Sequence, residues 1–193
     1  MKYPIAILIL AAGKASRMGQ PKQLLPYRGT TLLGHCIQTA LQCPVEAVYP
    51  ILGAYADQIQ NNIQTEGFQW LFNPDWEEGL SASIRQGVTF LSNYRPQIQA
   101  ALIVLGDQPL ITAEDLMPFF EAFRQNPQGI VSTAYGEKYG VPALFPRSYF
   151  AELSQLEGDR GAGKWMAAQK NVMRIQLTST FDVDTQDDYQ QIQ

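Results

Sequence analysis

The chain has 193 residues, 46% of them hydrophobic and 17% charged, with a formal net charge of −4. Ordinary globular composition of this kind excludes disordered and fibrous classes, and the acidic balance argues against nucleic acid, whose binders carry a basic face. A chain of this length buries about 70% of its extended surface on folding, enough for one core without staples, so a single domain over residues 1–193 is expected.

The N-terminal apolar stretch Ile5 to Ala12 has only Lys2 before it and runs into Gly13 and charged residues. That pattern lacks the flanks and cleavage site of a signal peptide. No run approaches the ~18 apolar residues of a membrane span. Cys36 and Cys43 form neither a metal-ligand pattern nor a disulfide framework, which reads as reduced thiols in a cytoplasmic protein.

In chain order, Ile5–Leu10 reads as a buried strand, followed by a helix over Thr31–Leu41 with Thr30 or Thr31 as its N-cap. Strands follow at Ala47–Leu52, Gln69–Phe72, Ala100–Leu105 and Gly129–Ala134, with helices at Ala54–Gln64, Ser81–Leu91 and Ala113–Gln125. Thr112 before Ala113-Glu114-Asp115 marks a capped start with acids in the first turn. Near-continuous apolar strands alternating with helices imply an α/β fold, a mostly parallel central sheet covered on both faces.

Beyond residue 134 the pattern loosens. Tyr139–Phe145 reads as a strand interrupted by Pro142, which places it at an edge or beside a bulge. Helical stretches over Arg147–Leu156 and Ala162–Lys170 lead to a strand at Val172–Leu177. A short strand, Phe181–Asp184, then precedes a helix from Gln186. No internal repeat or long Pro/Gly-rich linker divides the chain.

Four constellations carry chemistry. The first strand ends in Leu10-Ala11-Ala12-Gly13, and the loop beyond it holds Arg17 and Lys22. Small residues let backbone N–H groups approach an anion, and two cations neutralise it. The spacing fits neither a P-loop nor a dinucleotide fingerprint, and an exposed basic loop is the plainer alternative.

The second is Gly106-Asp107-Gln108-Pro109, after the strand Ala100–Leu105. Ligands of open α/β sheets sit beyond the carboxyl ends of the strands. An acid there suits Mg²⁺, which takes one or two carboxylates together with substrate phosphates. Asp107 also fits as a turn residue before a proline. With a phosphate loop at the same sheet edge, the metal role is favoured.

The third is Asp182-Val183-Asp184-Thr185, in which residues i and i+2 share a face. Thr185 and Asp188 form a capping pattern that draws Asp184 toward a structural role, leaving Asp182 as the second metal ligand.

The fourth runs from Asn73 to Gly87, a turn and helix start in which Ser81 or Ser83 is a candidate cap. Gly79 and the free N–H groups would equally suit a nucleoside approaching edge-on. Gly158-Asp159-Arg160-Gly161 is a charged turn. The single histidine, His35, lies in the first helix, so serine and cysteine triads are not built here. A phosphate monoester needs no general base, because it is already anionic at neutral pH, with a second pKa near ~6.

Together these residues resemble the MobA-like nucleotidyltransferase family, and within it the molybdenum cofactor cytidylyltransferase branch. The matching pieces are Leu10 to Gly13, Arg17-Met18-Gly19 and Pro21-Lys22, then Asn73, Trp76, Gly79, Ser83 and Gly87. Gly106 to Pro109, Gly140 with Pro142 and Phe145, Gly158 to Ala162 and Asp182 to Thr185 follow in family order.

The resemblance implies a Rossmann-like three-layer fold and Mg²⁺-dependent transfer of CMP from CTP to the phosphate of molybdenum cofactor. Arg17, Lys22 and Asp107 would be catalytic. Leu10, Ala11, Ala12, Gly13, Arg17, Lys22, Gly79 and Ser83 would bind the nucleotide. Asp107 and Asp182 would hold the metal, while Gly140, Pro142, Asp159 and Arg160 would face the acceptor. A molybdenum enzyme is the implied protein partner.

Ala11-Ala12 and Pro21-Lys22-Gln23-Leu24-Leu25 look like the cytidylyl type rather than the guanylyl type. Two positions depart from the family pattern: Val141 where histidine is frequent, and Gly163 where arginine is usual. Both lie in the acceptor elements, so a nucleotidyltransferase for a sugar or alcohol phosphate is the rival enzymatic reading. A non-catalytic nucleotide-binding chaperone for a molybdenum enzyme is the rival from another class.

Overall fold

The structure, a computed structural model, describes residues 2–14, 18–159 and 161–193. The expected positions Arg17 and Arg160 therefore lie outside the described residues.

Strand β1 (Tyr3–Leu10) lies inside the sheet. It pairs in parallel with β4 (Val45–Leu52) on one side and β6 (Ala100–Leu105) on the other. The alternation of β1 sorts its side chains between two cores. Ile5, Ile7 and Ile9 pack with Leu33 and Ile37 of α1 (Leu32–Gln42), Ile59 of α2 (Ala56–Asn62) and the phenylalanines of α4 (Ala113–Gln125). Ala6, Leu8 and Leu10 pack on the opposite face with Ile84, Val88 and Leu91 of α3 (Leu80–Tyr94). Phe150 and Leu153 of α5 (Phe150–Leu153) and Met166 of α6 (Gly163–Ala167) complete that face. The result is a Rossmann-like three-layer sandwich.

Gly87 explains how closely α3 settles on the sheet. A Cβ there would lie 2.6 Å from Leu8 Cδ1 and 2.9 Å from Ile51 Cδ1, so a larger residue would have to displace those side-chain ends or the helix.

The full strand order is β5-β4-β1-β6-β8-β7-β9. The strands not yet placed are β5 (Leu71–Phe72), β7 (Ile130–Tyr135), β8 (Lys138–Pro146) and β9 (Val172–Ile175). Strand β8 is antiparallel to both neighbours, whereas β5 and β9 join in parallel. A small hairpin of β2 (Pro26–Tyr27) and β3 (Thr30–Thr31) leads into α1. This hairpin was not anticipated from the sequence, since each arm is only two residues long.

The Pro142 strand is interior and lies at a register shift of the β7–β8 pair between Ser132 and Thr133, which is the bulge alternative of the sequence reading and not the edge. Three expectations are corrected. Phe181–Asp184 forms no strand; its Val183 N–H makes a single backbone bond to the Asp107 carbonyl (3.0 Å) instead of a ladder. Neither Ser81 nor Ser83 caps α3. Gly79 is the N-cap, with φ +99°, and both serines are buried by other bonds. The stretch Gln69–Phe72 contributes only the two residues of β5.

By contrast, Thr31, Thr112 and Thr185 each accept a helix N–H as N-caps. Thr112 and Thr185 do so within full capping boxes, Thr185 at the start of α7 (Gln186–Gln191).

Candidate active site

A cleft of about 720 Å³ opens at the carboxyl ends of β1 and β6. Sheet order reverses at that point: the chain leaves β1 toward β4, and β6 lies on the other side. Leu10, Ala11, Ala12 and Gly13 form one wall, and Leu105, Gly106 and Asp107 form the next.

Close backbone contacts set this floor. Ala11 N–H donates to Ile51 O (3.0 Å), Gly106 N–H to Leu10 O (3.0 Å) and Ala54 N–H to Ala12 O (3.1 Å). A Cβ on Gly106 would meet Leu33 and the Ala11 methyl, and one on Gly53 would lie 2.5 Å from Trp76. Trp76 is half-buried and lines the cleft.

Lys22 enters from a short 3₁₀ turn, Lys22–Leu24, set by Pro21. Its ammonium donates to Asp107 Oδ2 (2.6 Å) and Asp184 Oδ1 (2.7 Å). Burial works against this cation, but the two carboxylates outweigh it and raise the Lys22 pKa above its ordinary value.

Gln23, the next residue, was not singled out from the sequence. It is buried, and its amide nitrogen donates to the carbonyls of Ala11 and Gly13, at 3.0 Å each. The loop's exit is thereby tied to its entry. The available signal was an amide beside the apolar pair Leu24-Leu25.

The Asp182–Asp184 segment is docked through the Val183 N–H bond to Asp107. Val183 is fully buried in a small core with Leu25, Tyr27 and Leu32, which leaves Asp182 and Asp184 lining the cleft. Asp184 also serves the helix start, donating its N–H to Asp188 Oδ2 (3.1 Å). Asp182 accepts from Gln108 Nε2 (2.7 Å). Burial, followed by the charges of Asp107 and Asp184 against Gln108's bond and Lys22, leaves its carboxyl above the usual range.

Asp107 Oδ1 is buried with no hydrogen-bond partner among the described residues. An acceptor in that position is costly unless a cation or donor meets it. Among the described residues no three His, Cys, Asp or Glu side chains form a metal cage. An open pair, Asp107 and Asp182, is the kind of donor set that Mg²⁺ completes with water and phosphate oxygens.

Gly79, Ser83 and Asp159 line the far wall. Ser83 Oγ accepts from Asn73 Nδ2 (3.1 Å), and Asn73 Oδ1 accepts from Asp75 N–H (3.0 Å), so one buried asparagine shapes the turn between β5 and α3. A Cβ on Gly79 would sit 2.6 Å from Asp159 Oδ1, so glycine brings the two loops into contact.

Gly140 and Pro142 do not line this cleft. They lie in β8, where Pro142 O accepts from Thr133 Oγ1 (2.8 Å), and a Cβ on Gly140 would collide with the Tyr135 ring. His35 also stands outside the cleft, its ring edge-on to Tyr27 at 5.0 Å. Cys36 and Cys43 are buried free thiols, pushed up to about 12 by burial first. Among the described residues, no helix is long and apolar enough to cross a membrane.

Comparison with known proteins agrees with this architecture. The homologue of Mycobacterium tuberculosis Rv0371c from Mycobacterium sp. strain JC1 superposes with a TM-score of 0.84 and 30% identity, covering 100% of this chain and 96% of that one. Rv0371c itself, solved in complex with manganese, gives a TM-score of 0.80 at 30% identity, covering 97% of each chain. Among curated proteins, the bifunctional protein GlmU of Halorhodospira halophila is 34% identical over 120 residues. That match takes in 61% of this chain and 24% of GlmU, so the chain spans about a quarter of the length of the curated relatives it matches. The model of the MobA-like NTP transferase domain matches residues 7–172, and the chain belongs to that family of nucleotidyltransferases.

Proposed function

We propose that the chain is a Mg²⁺-dependent cytidylyltransferase, acting as one nucleotidyltransferase unit of residues 1–193, that transfers CMP from CTP to the phosphate of molybdenum cofactor. The observation carrying the transferase chemistry is the Lys22 ammonium held between Asp107 and Asp184 at the mouth of β1 and β6. A triphosphate entering along Leu10 to Gly13 offers Lys22 stronger anionic partners.

An acceptor phosphate oxygen attacks the α-phosphorus, the bond to the bridging oxygen breaks, and pyrophosphate leaves. Lys22, with Arg17 on the resemblance, neutralises the charge that builds on the departing group. Asp107 and Asp182 would hold Mg²⁺, which supplies Lewis-acid polarisation of the phosphate oxygens. Positioning and charge neutralisation then suffice without a general base.

The choice of CTP rests on Ala11-Ala12 and on Pro21-Lys22-Gln23-Leu24-Leu25. Val141 and Gly163 favour a second reading, in which another small phosphate, on a sugar or an alcohol, is the acceptor. A panel of the four NTPs with molybdenum cofactor, scored by pyrophosphate release, tests both. CTP is expected to lead, with turnover abolished in Asp107→Ala. A GTP preference overturns the base assignment, and turnover only with sugar phosphates overturns the acceptor.

A further inference from the structure

We propose that Gln108 is a positioning residue that aims the Asp182 carboxylate into the cleft, and that Tyr135 holds Gln108 for that task. This rests on the reading above, in which Asp182 helps to hold the divalent cation.

Gln108 follows Asp107 directly and is only 3% exposed. Its Nε2 lies 2.7 Å from Asp182 Oδ1 and 3.3 Å from the Tyr135 hydroxyl. A carboxylate only accepts, so the atom facing Asp182 must be the amide nitrogen. The Tyr135 hydroxyl in turn donates to the Val141 carbonyl (2.7 Å). Gln108 thus donates both to Asp182 and to Tyr135, and Tyr135 to the β8 backbone, so one chain of hydrogen bonds ties Asp182 to β8.

Two features separate this from packing. The Gln108 Oε1 is buried without a partner among the described residues, a cost that an apolar side chain of the same size would avoid. The donor is also neutral. Lys22 meets Asp107 and Asp184 with one positive charge shared between them, whereas an amide restrains Asp182 and leaves its charge available to a cation. The β6 turn would then supply one ligand, Asp107, and orient the other through the adjacent residue. Hydrogen bonds of this kind fix ligand rotamers, and losing one typically costs 10–100-fold in metal affinity.

The experiment is a titration of the purified chain with Mn²⁺, followed by electron paramagnetic resonance, with a non-hydrolysable CTP analogue present. Thermal midpoints are recorded alongside. Gln108→Met keeps the shape and removes the donors; it is expected to weaken Mn²⁺ by about 10–100-fold while still melting cooperatively. Tyr135→Phe is expected to weaken it several-fold alone and to add nothing in the Gln108→Met background, a non-additivity that independent packing defects do not show.

Wild-type affinity in Gln108→Met, with clear loss in Asp182→Asn, overturns the positioning role and leaves the metal assignment standing. Wild-type affinity in Asp182→Asn overturns the metal assignment itself. If Gln108→Met does not fold, Tyr135→Phe decides, and unchanged Mn²⁺ affinity there overturns the proposal.

Discussion

Lys22 is one ammonium shared by two carboxylates, at 2.6 and 2.7 Å, and under the proposed function its partners would change when a triphosphate arrives. Such an exchange would convert a structural ion pair into a catalytic cation, because charge on the leaving pyrophosphate is greater in the transition state than in the ground state. Lys22→Met keeps the length of the stem and removes the charge. Turnover measured by pyrophosphate release is expected to fall by roughly 10²–10³-fold, by analogy with loss of one oxyanion donor. Near-wild-type turnover would remove Lys22 from the mechanism. Its place in the cleft was legible in the sequence, because a cation in the loop just past a strand end is carried to the sheet edge where the cleft opens. The role of Gln23 was not, since a glutamine carries no charge and its two loop carbonyls come together only in the folded chain.

At the scale of elements, the sequence was most informative where local chemistry decides the outcome. The caps at Thr112 and Thr185 lie where their Thr-x-x-Asp spacing put them, because a capping box closes within four residues. The strand expected at Phe181–Asp184 failed for the converse reason: a strand needs a partner, and alternation alone does not supply one. Its i, i+2 logic still held, since Asp182 and Asp184 both reach the cleft while Val183 is buried. For the Pro142 strand the sequence offered an edge or a bulge; the register shift against β7 supplies the bulge, and pairing on both sides excludes the edge.

The Thr185 cap also ties an end of the chain to the site. Helix α7 begins two residues after Asp184, with Thr185 as its cap between them, and is anchored by Tyr189 OH donating to Pro26 O (2.6 Å). Thr185→Ala is expected to cost about 0.5–2 kcal/mol and to raise amide exchange over 186–191. Because Asp184 N–H shares Asp188 with the cap, the NTP KM should rise several-fold. Unchanged exchange in α7 would show that the helix is held by its core contacts instead.

Across the whole molecule, the groups with displaced pKa values define a pH window for stability. His35 is held below its ordinary value of 6.5, by burial first and then by Arg28. The unfolded chain therefore takes up this proton before the folded one, so the contribution is present above pH 6.5 and is lost as pH falls below it. Asp188, held down by its bonds from Thr185, and Glu121, held down by Tyr3, act in the same direction from about their ordinary values of 3.8 and 4.5 downward. Asp182 opposes them: its raised carboxyl lets the unfolded chain ionise first, so this group destabilises above pH 3.8 and acid relieves it. At the alkaline end, Tyr3 is raised above 10.0 by Glu121 and Lys22 above 10.5 by its carboxylates, and both contributions are lost as pH climbs through those raised values. Urea midpoints should therefore be level only between about pH 7 and 8.5, decline from about pH 9, where the unfolded chain ionises Cys36 and Cys43 ahead of the folded one, dip in a shallow step below about pH 6.5, and fall again below about 4.5. His35→Gln should erase the shallow step alone, because it is the chain's single histidine; a step that survives the substitution would place the titrating group elsewhere.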